Sequence, residues 1–321
     1  MNILVTGGTG YIGSICVSRL IELDHMVVVI DNLSTGHKET IPKQVTFYKG
    51  SIENQTLLKK IFNQHKIEVV IHFAAEATIG LSQANPQIYF HTNLTAGLIL
   101  LKIMNLFSCR KIIFSSTASI FGNPKYLPVD ENHPTQPINA YGLSKLMFEK
   151  VLPWYQDAYG LNYKIFRYFN AAGATKNLGE NHNPETHLIP RVSEVALSIL
   201  PKITICGNDY DTPDGTCIRD YVHVRDLVEA HILALNHWQG SHEYNLGNQQ
   251  GFSVLQVIET AKKVTGCNIP VKIAPRRPGD PTKLFANSSL AKKELGWIPK
   301  HSKLEEIIKS DWLWRKKNFK K

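Results

Sequence analysis

Residues 6–13 read Thr-Gly-Gly-Thr-Gly-Tyr-Ile-Gly and directly follow the apolar run at residues 3–5. Gly7, Gly10 and Gly13 have the spacing of a tight strand-to-helix turn whose backbone lies close to a pyrophosphate. The amides and the dipole at the start of the helix would favour that negative charge. The stretch therefore predicts a strand, a glycine turn and a helix that together bind a dinucleotide.

A carboxylate in the expected partner position supports this prediction. Asp31 follows the second apolar run, at residues 27–30, and can accept hydrogen bonds from the adenosine ribose hydroxyls. It would repel the additional phosphate of NADP, and no arginine directly follows it. NAD is therefore the predicted cofactor.

Strand-like and helix-like segments alternate along the first half of the chain. Runs rich in β-branched residues predict buried parallel strands at residues 3–6, 27–30, 69–73, 112–115 and 164–167. Helical patterns lie between them at residues 12–23, 55–64, 87–106 and 141–157. Pro153 predicts a kink or an early end in the last of these helices. The alternation predicts an α/β fold with a doubly wound parallel sheet, the Rossmann arrangement.

The pattern changes beyond about Ala172, where a loop rich in Gly, Asn and Pro begins. Helices are expected near residues 187–200, 223–238 and 253–265. We therefore expect an NAD-binding domain at residues 1–172 and a smaller mixed α/β substrate-binding domain at residues 173–321. The chain is expected to cross back to the first domain at least once.

The charge of the chain does not indicate a nucleic-acid partner, although the net charge is +9. Basic residues are dispersed except in the tail, which is expected to be a solvated helix end: Arg315, Lys316, Lys317, Lys320 and Lys321. No stretch reaches the roughly 20 apolar residues of a membrane span. The strand-like start at Asn2 leaves no room for a signal peptide, so the cytoplasm is the expected location.

The cysteines predict reduced thiols and no metal site. They are odd in number, widely scattered and never in a Cys-x-x-Cys pair: Cys16, Cys109, Cys206, Cys217 and Cys267. Such a distribution fits neither a disulfide framework nor a zinc site.

Three side chains form a candidate catalytic set. Tyr141 and Lys145 lie four residues apart on a predicted helix and therefore share one face. A neighbouring ammonium would favour the phenolate of Tyr141 and make it a general base. Thr117 stands at the carboxyl end of a predicted strand, where open α/β sheets bind ligands, and its hydroxyl can bond both substrate and Tyr141.

With these motifs the chain resembles the extended short-chain dehydrogenase/reductase family over nearly its whole length, and within it the nucleotide-sugar 4-epimerases. Besides the glycine motif, family-like segments are residues 31–33, 71–75, 115–118, 141–145, 167–170, 207–210, 219–224 and 276–280. The resemblance implies that UDP-glucose and UDP-galactose are interconverted. Tyr141 takes the C4 hydroxyl proton while hydride passes from C4 to NAD, and the 4-keto sugar turns and is reduced again on its other face.

The resemblance also implies which residues bind each ligand. Those expected at NAD are Gly7, Gly10, Tyr11, Ile12, Gly13, Asp31, Asn32, Ser51, Ile52, Phe73, Ala74, Ala75, Asn93, Tyr141, Lys145 and Phe169. Those expected at the UDP-sugar are Thr117, Tyr141, Asn170, His187, Leu188, Thr204, Cys206, Arg219, Tyr221, Arg277, Asp280 and Leu284. Members of the family further suggest a homodimer formed through the helices at residues 87–106 and 141–152.

Several positions depart from the family pattern. Ser51 stands where an Asp commonly meets the adenine, and Ala77 where a Lys often lies near the cofactor, so weaker NAD binding is expected. Phe121 stands where members of the family frequently have a Tyr. Leu284 replaces a bulky Tyr of some members and would leave room for N-acetylated sugars such as UDP-GlcNAc and UDP-GalNAc.

Two other functions remain open at this point, and a third, dehydration, is disfavoured. A sugar-nucleotide 4,6-dehydratase would usually carry an Asp-Glu pair after Thr117, where this chain has Ala118 and Ser119. A UDP-pentose or UDP-uronate epimerase would share the same nucleotide contacts. A non-catalytic NAD-binding protein would not need the three catalytic side chains.

Overall fold

The structure is a computed structural model that describes residues 1–277 and 279–319. Pro278 of the family-like segment and Lys320 and Lys321 of the basic tail lie outside the described residues. The chain divides into two compact units. The first is Met1–Gly122, Thr135–Arg167 and Ala230–Tyr244; the second is Asn123–Pro134, Tyr168–Glu229 and Asn245–Lys321.

A seven-stranded sheet forms the frame of the first unit. Its strands are β1 (Asn2–Thr6), β2 (Met26–Asp31), β3 (Thr46–Lys49), β4 (Val69–His72), β5 (Lys111–Thr117), β6 (Asn162–Tyr168) and, later in the chain, β10 (His242–Leu246). They lie in the order β10-β6-β5-β4-β1-β2-β3. β1 pairs in parallel with both β2 and β4, so the carboxyl ends of these strands meet at one edge.

Helices follow most of these strands. They are α1 (Tyr11–Glu22), α2 (Gln55–His65), α3 (Ile79–Ala84), α4 (Pro86–Tyr89), α5 (Ala96–Leu106) and α6 (Ala140–Tyr159). Leu4, Leu100 and Phe148 belong to one buried cluster that joins the sheet to its helices. The predicted doubly wound parallel sheet is confirmed, and this unit is a Rossmann fold.

Two predictions for the long helices need correction. The helix expected at residues 87–106 is interrupted by a π-helical segment, Phe90–Thr95, between α4 and α5. The early end expected at Pro153 is wrong, because α6 continues to Tyr159 and stops at Gly160, which adopts a left-handed conformation. Phe148 and Leu152 are fully buried, and their packing offsets the roughly 3 kcal/mol that an interior proline costs.

The second unit holds smaller sheets. Its strands are β7 (Asn170–Ala172), β8 (Ile203–Cys206), β9 (Ile218–His223), β11 (Gly251–Ser253), β12 (Val271–Ala274) and β13 (Lys283–Leu284). β9 pairs with β11, β13 and β7, and β8 pairs with β12. These short strands and β3 are not predicted from the sequence because few of their residues form a buried β-branched run.

The helices of the second unit extend beyond the predicted set. They are α7 (Leu188–Ala196), α9 (Val254–Thr265), α10 (Ser289–Leu295) and α11 (Leu304–Asn318), while α8 (Val224–Ala234) passes from the second unit to the first. The prediction of a solvated tail is wrong for Arg315. Its side chain is only 1% exposed and pairs with carboxylates. In the described part of the chain, no helix is long and apolar enough to cross a membrane.

Candidate active site

The glycine turn lies between β1 and α1, and two of its positions have no room for a side chain. Gly7 has a φ of +69°, and a Cβ there would lie 2.5 Å from the amide nitrogen of Ala74. A Cβ on Gly13 would collide with the carbonyl oxygen of Gly7. A larger residue at Gly7 would therefore push the turn away from residues 73–74, and one at Gly13 would push α1 away from the turn.

The start of α1 suits an anion. Its N-cap is Gly10, and no side chain caps the helix within the described residues. The Thr9 hydroxyl oxygen is buried and has no hydrogen-bond partner among the residues the structure describes. Tyr11, Ile12 and Gly13 form the first turn, whose amides lie outside the helical hydrogen-bond pattern. These groups fit the pyrophosphate of NAD.

Asp31 holds the adjacent loop. Its carboxylate accepts hydrogen bonds from the amides of Thr9, at 3.0 Å, and Leu33, at 2.8 Å. The Asn32 side chain accepts from the amide of Ser34 at 3.0 Å. Each carboxylate oxygen of Asp31 keeps a second lone pair with which it can accept from a ribose hydroxyl.

The other residues expected at NAD follow β3 and β4. Ile52 is buried, and the Ser51 hydroxyl accepts from the amide of Glu53 at 3.2 Å. The amides of Phe73 and Ala74 donate to the carbonyl of Thr6 at 3.0 and 3.1 Å. Ala75 continues this segment, so residues 73–75 are held against the carboxyl end of β1.

The three candidate catalytic residues come together. Thr117 ends β5, and its hydroxyl lies near enough to the phenol of Tyr141 to act against the rise in the pKa of that phenol. Tyr141 and Lys145 lie in the first turns of α6, which is capped by the side chain of Asn139. Gly142 packs so closely that a Cβ there would lie 2.5 Å from the carbonyl oxygen of Ser119. This close contact brings α6 to the turn that follows Thr117.

Lys145 is a buried cation without a carboxylate partner among the described residues. Its ammonium donates to the carbonyl of Ser115 at 2.8 Å and lies 4.8 Å from the centre of the Phe114 ring. Burial lowers the pKa of Lys145 to about 7, although the charge of Glu149 acts in the opposite direction. The group can therefore gain or lose a proton near neutral pH.

The expected effect of Lys145 on Tyr141 needs correction. In the protein alone, burial raises the pKa of Tyr141, and the nearby Thr117 hydroxyl offsets only part of that rise. The Lys145 ammonium is directed to the carbonyl of Ser115, so it does not outweigh the effect of burial on the phenol. A further positive charge is needed before the phenol can serve as a base at neutral pH.

Asn93 has a structural role that was not predicted from the sequence. Its amide group is buried, donates to the carbonyl of Glu76 and to the hydroxyl of Ser144, each at 3.0 Å, and accepts from the Glu76 amide at 2.8 Å. Ser144 in turn donates to the carbonyl of Tyr141 at 2.8 Å. The π-helical segment is thereby tied to the first turn of α6. The hydroxyl of Ser144 within the Tyr-x-x-x-Lys motif was the only sequence signal for this role.

A second set of candidate residues lies on β7, β9 and β13 of the second unit. Asn170 is in register with Tyr221. Arg219 is paired with Asp280 at 3.4 Å. The same nitrogen, Nη2, is buried and lacks a hydrogen-bond partner among the described residues. A guanidinium with an unused donor suits a diphosphate oxygen.

The remaining predicted contacts differ in how firmly they are held. Leu284 is buried in β13, in register with Arg219. Thr204 and Cys206 are half-buried on β8, and Phe169 is buried with its amide bonded to the carbonyl of Leu246. Arg277 is exposed. Its neighbour Arg276 is better fixed, since its guanidinium lies 4.2 Å from the Tyr210 ring centre and pairs with Asp209.

Two residues predicted to bind the UDP-sugar lie at the start of α7. Leu188 is its first residue and packs on the core of the second unit. His187 is the N-cap, and its Nδ1 lies 2.6 Å from a carboxylate oxygen of Glu180.

Comparison with known proteins agrees with this geometry. The family model described as the NAD dependent epimerase/dehydratase family matches residues 3–247. The chain belongs to this family.

The relatives in the family cover the chain almost end to end. A UDP-glucose 4-epimerase of Halalkalibacterium halodurans is 49% identical, over 99% of this chain and 96% of its own length. The UDP-glucose 4-epimerase of Bifidobacterium longum, solved with NAD⁺ and UDP, is 38% identical with a TM-score of 0.95, and 99% of each chain is covered. The UDP-Glc/GlcNAc 4-epimerase of Campylobacter jejuni is 39% identical with a TM-score of 0.86, over 98% of this chain and 99% of that one.

The cofactor of this family member is NAD. The departures from the family pattern at Ser51, Ala77 and Phe121 do not change the candidate catalytic residues Thr117, Tyr141 and Lys145. Ala77 is exposed, whereas Phe121 is fully buried with the Arg167 guanidinium 5.6 Å from its ring centre. The Phe121 ring therefore packs against the buried Arg167 guanidinium. This contact does not need the hydroxyl of the Tyr that family members frequently have here. Weaker NAD binding through Ser51 and Ala77 stays a prediction.

Proposed function

We propose that this chain interconverts UDP-glucose and UDP-galactose by an NAD-dependent inversion at C4 of the sugar. The observation that carries the proposal is the placement of Thr117, at the end of β5, beside the start of α6, which holds Tyr141 and, one turn further along, Lys145, in the unit that also holds the glycine turn. Bound NAD supplies a reversible hydride acceptor whose cationic ring adds positive charge near the phenol.

The residues of the chain handle the proton. Tyr141 is positioned to take it from the C4 hydroxyl while hydride leaves C4, and to return it when hydride comes back to the other face of the 4-keto sugar. Thr117 shares its hydrogen bond between the phenol and the substrate hydroxyl. Lys145 favours the phenolate when it is protonated, so both groups must be in their correct protonation states together.

Specificity comes from the nucleotide. Arg219, Asp280 and Asn170 offer donors and acceptors for a diphosphate and a ribose, with Arg277 as a further cation. Strong binding of UDP and weak binding of the hexose allow the keto sugar to turn before it is reduced again. We assign residues 1–172, which hold all the predicted NAD contacts, to NAD binding, and residues 173–321, together with Thr117, Tyr141 and Asn170, to UDP-sugar binding.

The sugar range is a finer part of the proposal. Leu284 is shorter than the Tyr found in some members, so UDP-GlcNAc and UDP-GalNAc are also expected to react. The similarity to a UDP-Glc/GlcNAc 4-epimerase supports this range. Good turnover of UDP-glucose together with failure on both N-acetylated sugars would exclude it.

A homodimer in the cytoplasm is also proposed. Leu143, Met147 and Trp154 lie on one face of α6 and are 40%, 41% and 74% exposed, which is unusual for side chains of this size. Ile88 and Leu106 are similarly exposed at the ends of the α4–α5 helical stretch. Light scattering should give twice the mass of the chain. The five free thiols support a reducing location.

A substrate panel tests the activity. Purified protein is incubated separately with UDP-galactose, UDP-GlcNAc, a UDP-pentose and a UDP-uronate, and the C4 epimer is measured in each case. Conversion of UDP-galactose to UDP-glucose as the fastest reaction supports the proposal. Faster turnover of the pentose or the uronate would reassign the sugar, and no turnover of any would leave only an NAD-binding protein.

A further inference from the structure

The loop that leads into α7 carries four side chains with metal-binding atoms. Residues 180–187 contain Glu180, His182, Glu185 and His187, called here the 180–187 cluster. One ligand atom from each lies within 4.8 Å of all the others. The cluster belongs to the second unit and is separate from the catalytic set.

The two histidine rings converge on one carboxylate. Nδ1 of His182 lies 3.0 Å and Nδ1 of His187 lies 2.6 Å from Oε1 of Glu180. Nδ1 of His187 is also 3.5 Å from Oε1 of Glu185. Ligands at zinc distances of 2.0–2.1 Å in a tetrahedron stand about 3.3 Å apart. The observed separations therefore need only small shifts to surround an ion.

Glu180 has a binding atom that the protein leaves unused. The residue is only 2% exposed, and its Oε2 is buried without a hydrogen-bond partner among the described residues. A buried carboxylate oxygen without a donor is costly. A cation in the cluster would satisfy it.

The surroundings of the cluster contain more acids than bases. Arg315 contacts Glu185 at 3.5 Å, Glu194 at 3.4 Å and Asp311 at 3.2 Å, and it donates to the carbonyl of Glu180. Three carboxylates therefore share this guanidinium, while the carboxylate of Glu180 faces the two histidines instead. The carboxylates of Glu180 and Glu185 face the histidine rings, so the cluster favours positive charge. Either protonated histidine or a divalent cation can provide it.

We propose that Glu180, His182 and His187 bind one zinc ion, with Glu185 or water as the fourth ligand. Two imidazole nitrogens with carboxylate oxygens suit Zn²⁺ and Co²⁺, whereas Mg²⁺ prefers an all-oxygen set. The sequence-based expectation of no metal rested on the absence of cysteine pairs. The spacing Glu-x-His-x-x-Glu-x-His is the sequence signal for this cluster.

The zinc would fix the loop before α7. His187 and Leu188, which start that helix, are proposed UDP-sugar contacts, and zinc at Nδ1 leaves Nε2 of His187 available. The zinc proposal does not rest on the proposed epimerase activity, because binding is measured without any nucleotide sugar.

The test measures zinc in tag-free protein that has been stripped with chelator and then dialysed against Zn²⁺. We expect one zinc per wild-type chain by elemental analysis, and a rise in Tm on the order of 5 °C that Mg²⁺ does not reproduce. His182→Gln should weaken zinc binding at least tenfold. The matched control is His237→Gln, which removes a histidine outside the cluster and should bind zinc as the wild type does.

Cobalt provides a readout that depends on no variant. Wild-type protein loaded with Co²⁺ should show the visible bands of a tetrahedral site and lack the near-ultraviolet band of cobalt–thiolate bonds. A thiolate band would place the metal on a cysteine and overturn the proposal. Zinc binding that is absent in the wild type, or equal in folded His182→Gln, would overturn it as well.

Discussion

Lys145 and Arg315 are both buried cations, but the protein surrounds them in opposite ways. Lys145 has a carbonyl and an aromatic ring as close partners, with no carboxylate within ion-pair distance in the described residues. Arg315 has three carboxylates within 3.5 Å. The first cation can change its charge near neutral pH, and the second is permanently charged and neutralised. We propose that this difference separates a group with a chemical role from one with a structural role.

The catalytic side of this comparison depends on the phenol next to Lys145. Tyr141→Phe should lower the conversion of UDP-galactose to UDP-glucose by about 10²–10⁴-fold, because it removes the general acid–base. NAD binding should stay unchanged, as measured by titration of the purified variant. Tyr159→Phe is the matched control on the same helix and should retain full turnover. A Tyr141→Phe variant with near wild-type activity would remove the phenol from the mechanism.

If Arg315 has a structural role, its replacement should cause a large loss of stability. Arg315→Met leaves Glu185, Glu194 and Asp311 without their counterion, so the free energy of unfolding should fall by about 3–5 kcal/mol. Denaturant unfolding measures this, with exposed Lys316→Met as a control expected to lie within about 0.5 kcal/mol of the wild type. If both variants unfold alike, Arg315 is not the structural ion described here.

Replacement of Lys145 should have the opposite effect on stability. Its pKa is about 7 in the folded protein against 10.5 in the unfolded chain, so the unfolded state binds more protons between these values. Burial of the Lys145 ammonium therefore lowers the free energy of unfolding of the wild type by its full amount below pH 7. This destabilisation disappears as the pH rises towards 10.5.

Lys145→Met removes that penalty but also loses the hydrogen bond to Ser115. We expect a net gain of about 1–3 kcal/mol at pH 6 that shrinks at higher pH, together with severe loss of turnover. Exposed Lys150→Met on the same helix should show neither effect. The prediction fails if Lys145→Met is less stable than the wild type at pH 6 and the difference does not vary with pH.

Arg219 is intermediate between the two buried cations, since it pairs with Asp280 yet keeps an unused donor nitrogen. Arg219→Lys keeps the charge but loses the planar guanidinium, so UDP binding should weaken about tenfold or more in calorimetry. Arg276→Lys, which alters a more exposed guanidinium, should weaken binding less. Equal affinities for the two variants would argue against Arg219 as a diphosphate contact.

The same contrast shows what can be predicted from sequence. The Rossmann sheet followed from buried β-branched runs, and the catalytic candidates from motifs in which sequence spacing fixes spatial proximity. Tyr141 and Lys145 are four residues apart, so a helix is enough to place them together. Arg315 was expected to be solvated because two of its partners, Glu185 and Glu194, are more than a hundred residues away.

Other predictions from the sequence failed for related reasons. Pro153 follows a local rule that the packing of Phe148 and Leu152 overrides, and the π-helical segment around Asn93 depends on hydrogen bonds to Glu76 and Ser144. The pKa of Tyr141 was expected to fall because a cation is near in sequence. It rises because burial, which sequence spacing does not reveal, outweighs the local charges.

The most direct measurement follows the hydrogen on C4. UDP-galactose that carries deuterium at C4 is converted in ordinary water, and the UDP-glucose formed is analysed by NMR. We predict that the label stays on C4 of the product, since hydride leaves and returns within one site while only the hydroxyl proton passes through Tyr141. Loss of the label to water would show that C4 is deprotonated instead, and would contradict the proposed chemistry.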